Sequence, residues 1–187
     1  SAIEYLDLRS AAIACGEGLP APKGQHLILL EVSHSSREAP ITWWSDALSQ
    51  WMPNAEITVA ITDREREVLR HARHAVPARF NEIAKNNGYK KLATDFAVPD
   101  AAFTQMMTAY EAAPVDSFLF GHLGQNHLHL NLLPRNEAEH ATATAYLSTI
   151  TDLAIALNGT ISAEHGVGKI KRAAFSKMAG TDGVANH

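Results

Sequence analysis

The sequence predicts an α+β fold, an antiparallel sheet with helices packed mainly on one face. Three observations lead there. Apolar runs of strand length follow one another as hairpin-joined neighbours, above all in "SFLFGHLGQNHLHLNLLP" (residues 117–134). Four or five stretches with apolar residues at helical spacing are mixed among them. No internal repeat or low-complexity tract interrupts the 187 residues, which read as a single domain over 1–187. A chain of that length buries roughly two thirds of its unfolded surface.

A short amphipathic opening (Ile3, Leu6, Ile13) leads to "HLILLEV", His26 to Val32, a β-rich run bounded by Gly24 and a polar stretch. Trp43, Ala47, Leu48 and Trp51 recur at three- and four-residue steps, so a short helix is expected there, ended by Pro53 and Asn54. "EITVAIT", Glu56 to Thr62, alternates as a strand should. Asp63 is expected to cap a long helix with Val68, Leu69, Ala72, Ala75, Val76, Phe80, Ile83 and Ala84 on one face, kinked at Pro77 and stopped at "NNG". "TDFAVP", Thr94 to Pro99, reads as a third strand, and Asp100 starts a helix running to about Ala112. Glu137 to Leu157 is helical in pattern, closed by Asn158 and Gly159 in left-handed conformation. "TISAEHGVGK" enters a glycine turn, and a last helix is expected from near Lys169. The element order resembles elaborated ferredoxin-like domains.

Composition narrows the function. A net charge of −4 lacks the Lys/Arg excess of a phosphate-tracking surface, so nucleic acid is not an expected partner. Without an apolar run of membrane-spanning length or an apolar leader, the chain reads as soluble and cytoplasmic, with a peripheral membrane contact left open for a longer protein. The lone Cys15 excludes an internal disulfide and is more often a buried small hydrophobe than a nucleophile. Ten histidines are the oddity.

Chemistry concentrates in the 117–134 hairpin. His122 and His129 are an odd number of positions apart, so an uninterrupted strand would send them to opposite faces. A turn centred on Gln125 and Asn126 instead makes them direct cross-strand partners, with Cβ atoms about 5 Å apart, close enough to share a metal. His127, His129 and Asn131 alternate onto one face of the return strand, and Leu128, Leu130 and Leu132 onto the other. Glu164, in "SAEHGVG", can complete a two-His, one-carboxylate set with positions open for substrate. Taken alone, two hairpin histidines are more often just a solvated sheet face.

Weaker motifs carry less. Gly16, Gly18 and Ala21 mimic a dinucleotide fingerprint, but no strand precedes them and prolines follow. "GVGK" lacks the first glycine and the Ser/Thr of a phosphate loop. The Asn158-Gly159-Thr160 sequon reads as the helix cap.

"FGHLGQNHLHLNLLP" followed by "NGTISAEHGVGKIKR" resembles the C-terminal, substrate-binding domain of FAD-linked oxidases of the vanillyl-alcohol-oxidase type. Among its members the sequence resembles the D-lactate, glycolate and D-2-hydroxyglutarate dehydrogenases. "LRHARHAVP" and "KKLATDFAVPD" extend the resemblance over about Leu27 to Arg172. It implies that His122, His129 and Glu164 bind a divalent metal (zinc, manganese or iron) and that His165 is the proton-abstracting base. Arg73 is implied to hold a substrate carboxylate, with Asn131 and Lys91 also facing substrate. The family's Asp, Gly and Asn are replaced by Gln125, Asn126 and His127, which removes an acidic residue and adds a further candidate ligand.

The resemblance further implies FAD, bound mainly by a flavin domain outside these residues. Such a chain is a cap domain from a longer protein and is inactive alone. Its other partners would be a small 2-hydroxy acid, an electron-accepting protein or quinone, and a second copy in a homodimer. Two other readings fit the same residues. One is a metal-dependent hydrolase in which the His/His/Glu set activates water; the other is a metal-free binding module.

Overall fold

A computed structural model describes residues 2–21, 24–32, 38–168 and 172–183. Its centre is one antiparallel sheet built from β1 (Ala2–Leu6), β2 (Leu27–Glu31), β3 (Leu92–Ala93), β4 (Phe96–Ala97), β5 (Ser117–His122) and β6 (His127–Leu132). The order is β2-β1-β5-β6-β3, with β4 pairing β6 beside β3. Among the described residues six α-helices accompany it: α1 (Leu8–Gly16), α2 (Glu38–Trp51), α3 (Asp63–Asn86), α4 (Phe103–Glu111), α5 (Glu137–Ala156) and α6 (Arg172–Gly183). The α+β class with an antiparallel sheet is therefore as the sequence predicts.

The helices, expected mainly on one face, divide between two. Leu119 and the leucines at 128, 130 and 132 face a core with Met106 and Tyr110 of α4, Ile150 and Ala154 of α5, and part of α6. On the opposite face Leu6, Phe118 and Phe120 meet Ala72, Val76 and Phe80 of α3 and Ala11 and Ala14 of α1. The strand period explains the split. β5 carries large apolar side chains at every position from Phe118 to Phe120, so both of its faces need cover.

Several boundaries differ from expectation for local reasons. The amphipathic opening contains β1, which lies between β2 and β5, and Asp7 caps α1 by accepting from the Ser10 N–H at 2.8 Å. Thr62, not Asp63, caps α3 in a capping box with Glu65. The helix continues past Pro77. The strand expected over Glu56–Thr62 is absent: residues 55–61 form no ladder, and Ile57, Val59 and Ile61 are all exposed. Alternation marks a face that wants cover, yet among the described residues no strand pairs with this segment. The strand expected over Thr94–Pro99 shortens to β4, with β3 ahead of it, and between the two the Thr94 side chain accepts the Leu130 N–H at 2.9 Å. Asn158 is left-handed (φ 58°) as expected, whereas Gly159, expected to share that conformation, does not. Gly159 is needed for close approach: a Cβ there would lie 2.7 Å from the Ala97 carbonyl oxygen and 2.9 Å from that of Ala154. The expected last-helix start at Lys169 lies outside the described residues; α6 is seen from Arg172. Among the described residues no helix is long and apolar enough to cross a membrane.

Candidate functional site

The hairpin pairs His122 with His127 and Phe120 with His129, so the expected direct pairing of His122 with His129 is corrected. The cause is the connection. Leu123–Gln125 forms a short 3-10 turn and Asn126 is left-handed (φ 50°), giving a longer loop than the tight turn expected. The register shift is two residues, and an even shift leaves every side chain on its predicted face. Gly121 is required at its place: its φ is 144°, and a Cβ would come within 2.8 Å of the His127 carbonyl oxygen.

Cross-strand pairing puts Glu4, His122, His127, His129 and Asn131 on one face of β1, β5 and β6. Glu164 and His165 reach that face from the loop after α5. Its anchor is Asp95, 3% exposed. One Asp95 oxygen accepts from His127 Nε2 at 3.0 Å and the Glu164 N–H at 3.2 Å. The other accepts from the His165 N–H at 3.0 Å and the Ser162 hydroxyl at 3.4 Å. The break between β3 and β4 is what turns Asp95 inward.

Each histidine is aimed by a group behind it. His122 Nδ1 donates to Glu4 at 2.8 Å, and Arg73 Nη2 holds the same carboxylate oxygen at 2.6 Å. His129 Nδ1 lies 3.2 Å from the Thr94 carbonyl, which can only accept. Burial holds His129 below the ordinary imidazole range, and the neighbouring His127 and His165 add to the effect. Its neutral ring therefore carries hydrogen on Nδ1 and a lone pair on Nε2. Both free Nε2 atoms point at one carboxylate: His122 Nε2 lies 3.0 Å from Glu164 Oε1, and His129 Nε2 lies 3.9 Å from Glu164 Oε2. Lone pairs opposed to carboxylate oxygens call for a proton or a cation between them.

The spacing fits a cation, since ligand atoms around one ion at 2.0–2.2 Å lie roughly 3–4 Å apart. Among the described residues three overlapping groups have ligand atoms within 4.8 Å of one another: Asp95, His127 and His129; His122, His127 and Glu164; His129, Glu164 and His165; none of them holds His122 and His129 together. Glu164 links the last two, and its side chain is 42% exposed, leaving an approach from solvent.

Of the residues expected to act together, His122, His129, Glu164 and His165 converge. Arg73 joins them through Glu4. Asn131, 4% exposed, donates to the His129 carbonyl at 3.0 Å, one step along the same face. Lys91 lies toward that end: its Nζ donates to Asn81 at 2.6 Å and stands 4.7 Å from the Phe80 ring centre, and burial lowers its pKa. Sequence reasoning missed Glu4, Thr94 and Asp95. Glu4 had a readable signal, a carboxylate alternating with Leu6 toward a core.

Residues 2–187 match the family of FAD linked oxidases, C-terminal domain, and the chain belongs to that family. Membership identifies it with oxidoreductases whose cofactor is FAD, and it implies an FAD-binding partner domain and a small substrate.

Proposed function

From that membership we propose that this domain binds substrate and a divalent metal in an FAD-dependent 2-hydroxyacid dehydrogenase of the D-lactate, glycolate or D-2-hydroxyglutarate kind. The single supporting observation is the aim of two imidazoles at Glu164 with their other nitrogens held by Glu4 and Thr94. Carboxylate or carbonyl partners behind metal-binding histidines fix their tautomers in this way. His122, His129 and Glu164 would hold zinc, manganese or iron, which when bound lowers the pKa of a coordinated hydroxyl. FAD, held by the partner domain, is the hydride acceptor.

The chain's own residues do the rest. His165, with its ring centre 5.5 Å from that of His129, takes the hydroxyl proton at the solvent-facing edge. Arg73 spends one nitrogen on Glu4 and has others to offer a substrate carboxylate. Asn131 and Lys91 bound the far side of the substrate. An electron-accepting protein or quinone reoxidises the flavin.

The test is steady-state kinetics of the full-length flavoprotein with the three acids. His165→Ala should lower kcat and Arg73→Ala should raise KM, and unchanged kinetics in both would refute the assignment. Hydrolysis of esters or amides by the isolated chain would favour the metallohydrolase reading instead.

A further inference from the structure

Outside that ligand set, the least expected side chain is His127. At 1% exposure it is the most buried histidine among the described residues, and such burial favours partners on the ring nitrogens. Its Nε2 is occupied by Asp95 at 3.0 Å, a carboxylate as buried as the ring itself. As carboxylates accept, the hydrogen lies on Nε2 and the lone pair on Nδ1. That lone pair is directed at the site: Nδ1 lies 3.8 Å from Glu164 Oε1. His127 stands opposite His122 in the ladder, and its ring centre is 4.5 Å from that of His129.

Resting on the metal-site reading above, we infer that His127 is a fourth protein ligand of the ion, through Nδ1. The ion is then held by three imidazoles and one carboxylate, with Asp95 doing for His127 what Glu4 does for His122. Asp95 also anchors the backbone of Glu164, so one carboxylate fixes two ligands. The consequence concerns coordination number. Four protein ligands fill a tetrahedral ion, so an ion that also takes a substrate hydroxyl must be at least five-coordinate. Imidazole-rich sites suit zinc, iron, nickel and copper, whereas magnesium and calcium prefer oxygen.

The test loads the purified chain with Zn²⁺ and with Co²⁺, alongside His127→Asn and His122→Asn. X-ray absorption of the zinc-loaded parent should count three imidazoles per ion. His127→Asn should weaken binding by about 100-fold or more, above the 10–100-fold of an outer-shell loss, and should alter the visible cobalt bands. Two imidazoles in the parent, or a His127→Asn protein with unchanged affinity and cobalt spectrum, would overturn the inference and leave the metal site standing. If neither ion binds the parent, the metal-site reading itself falls. The imidazole count needs no variant, so it decides the matter even where His127→Asn fails to fold.

Discussion

Replacing Asp95 with Asn changes one oxygen to an amide and removes a charge at the point where the hairpin meets the Glu164 loop. The amide has one accepting atom in place of two. That atom is best used on the His127 side, because the ring is fully buried and its Nε2 has no route to water. The amide hydrogens then face the His165 N–H, donor against donor, while Ser162 can turn its hydroxyl to accept. The loop is exposed enough for water to take over the His165 N–H. What is lost is one charge-assisted hydrogen bond, about 1.5–3 kcal/mol. For a chain of this size that lowers Tm by on the order of 3–12 °C. Metal affinity should fall about 10-fold, since the acceptor behind His127 and the Glu164 N–H loses its charge and the loop is released at His165. Thermal unfolding of the metal-free chain and competitive zinc titration read the two effects, with Ser162→Ala as a control expected within about 0.5 kcal/mol of the parent. An Asp95→Asn chain matching the parent in both Tm and zinc affinity would refute Asp95 as the anchor.

Three further outcomes are expected. Glu4→Gln keeps the shape behind His122 but removes the charge, and zinc affinity should drop about 10-fold; equal affinity would mean that Glu4 serves Arg73 alone. Gly159→Ala forces a methyl group against two carbonyl oxygens and should cost about 1–3 kcal/mol by denaturant unfolding; a neutral result would contradict the close packing of β4 on the end of α5. Burial pushes the Tyr5 hydroxyl up to about 12 and raises those of Tyr110 and Tyr146. A raised folded pKa disfavours the phenolate in the folded state, so its stability is complete below the unfolded value near 10 and lost as pH rises through 10 toward 12. Absorbance titration should show these tyrosines ionising late and together with unfolding; ordinary titration near pH 10 in the folded chain would contradict their burial.

The faces of the sheet were legible in the sequence because side chains alternate strictly along β6. His127, His129 and Asn131 lie on one face and Leu128, Leu130 and Leu132 on the other, and an even register error leaves that assignment intact. The same kind of alternation misled at residues 56–62, where Ile57, Val59 and Ile61 repeat with period two yet pair with no strand. Period reports burial sought, whereas a ladder needs a neighbour. The supports behind the histidines were illegible for a different reason. Glu4 is 118 positions from His122, and Asp95 is 70 from His165. No local pattern links such pairs; only the strand order β1-β5-β6 and the broken edge at Thr94 bring them together. Arg73 illustrates the limit of carrying a role over from a resemblance. Its place on the α3 face was readable, but its bond to Glu4 depended on where β1 lies.

The central claim is a metal held by the histidine face. Elemental analysis of the purified chain after equilibration with zinc, manganese and iron, beside His129→Ala, tests it most directly. Near-stoichiometric metal in the parent, lost in the variant while its circular dichroism stays that of a folded chain, is the predicted result. Equal metal in both, or none in either, would contradict the claim.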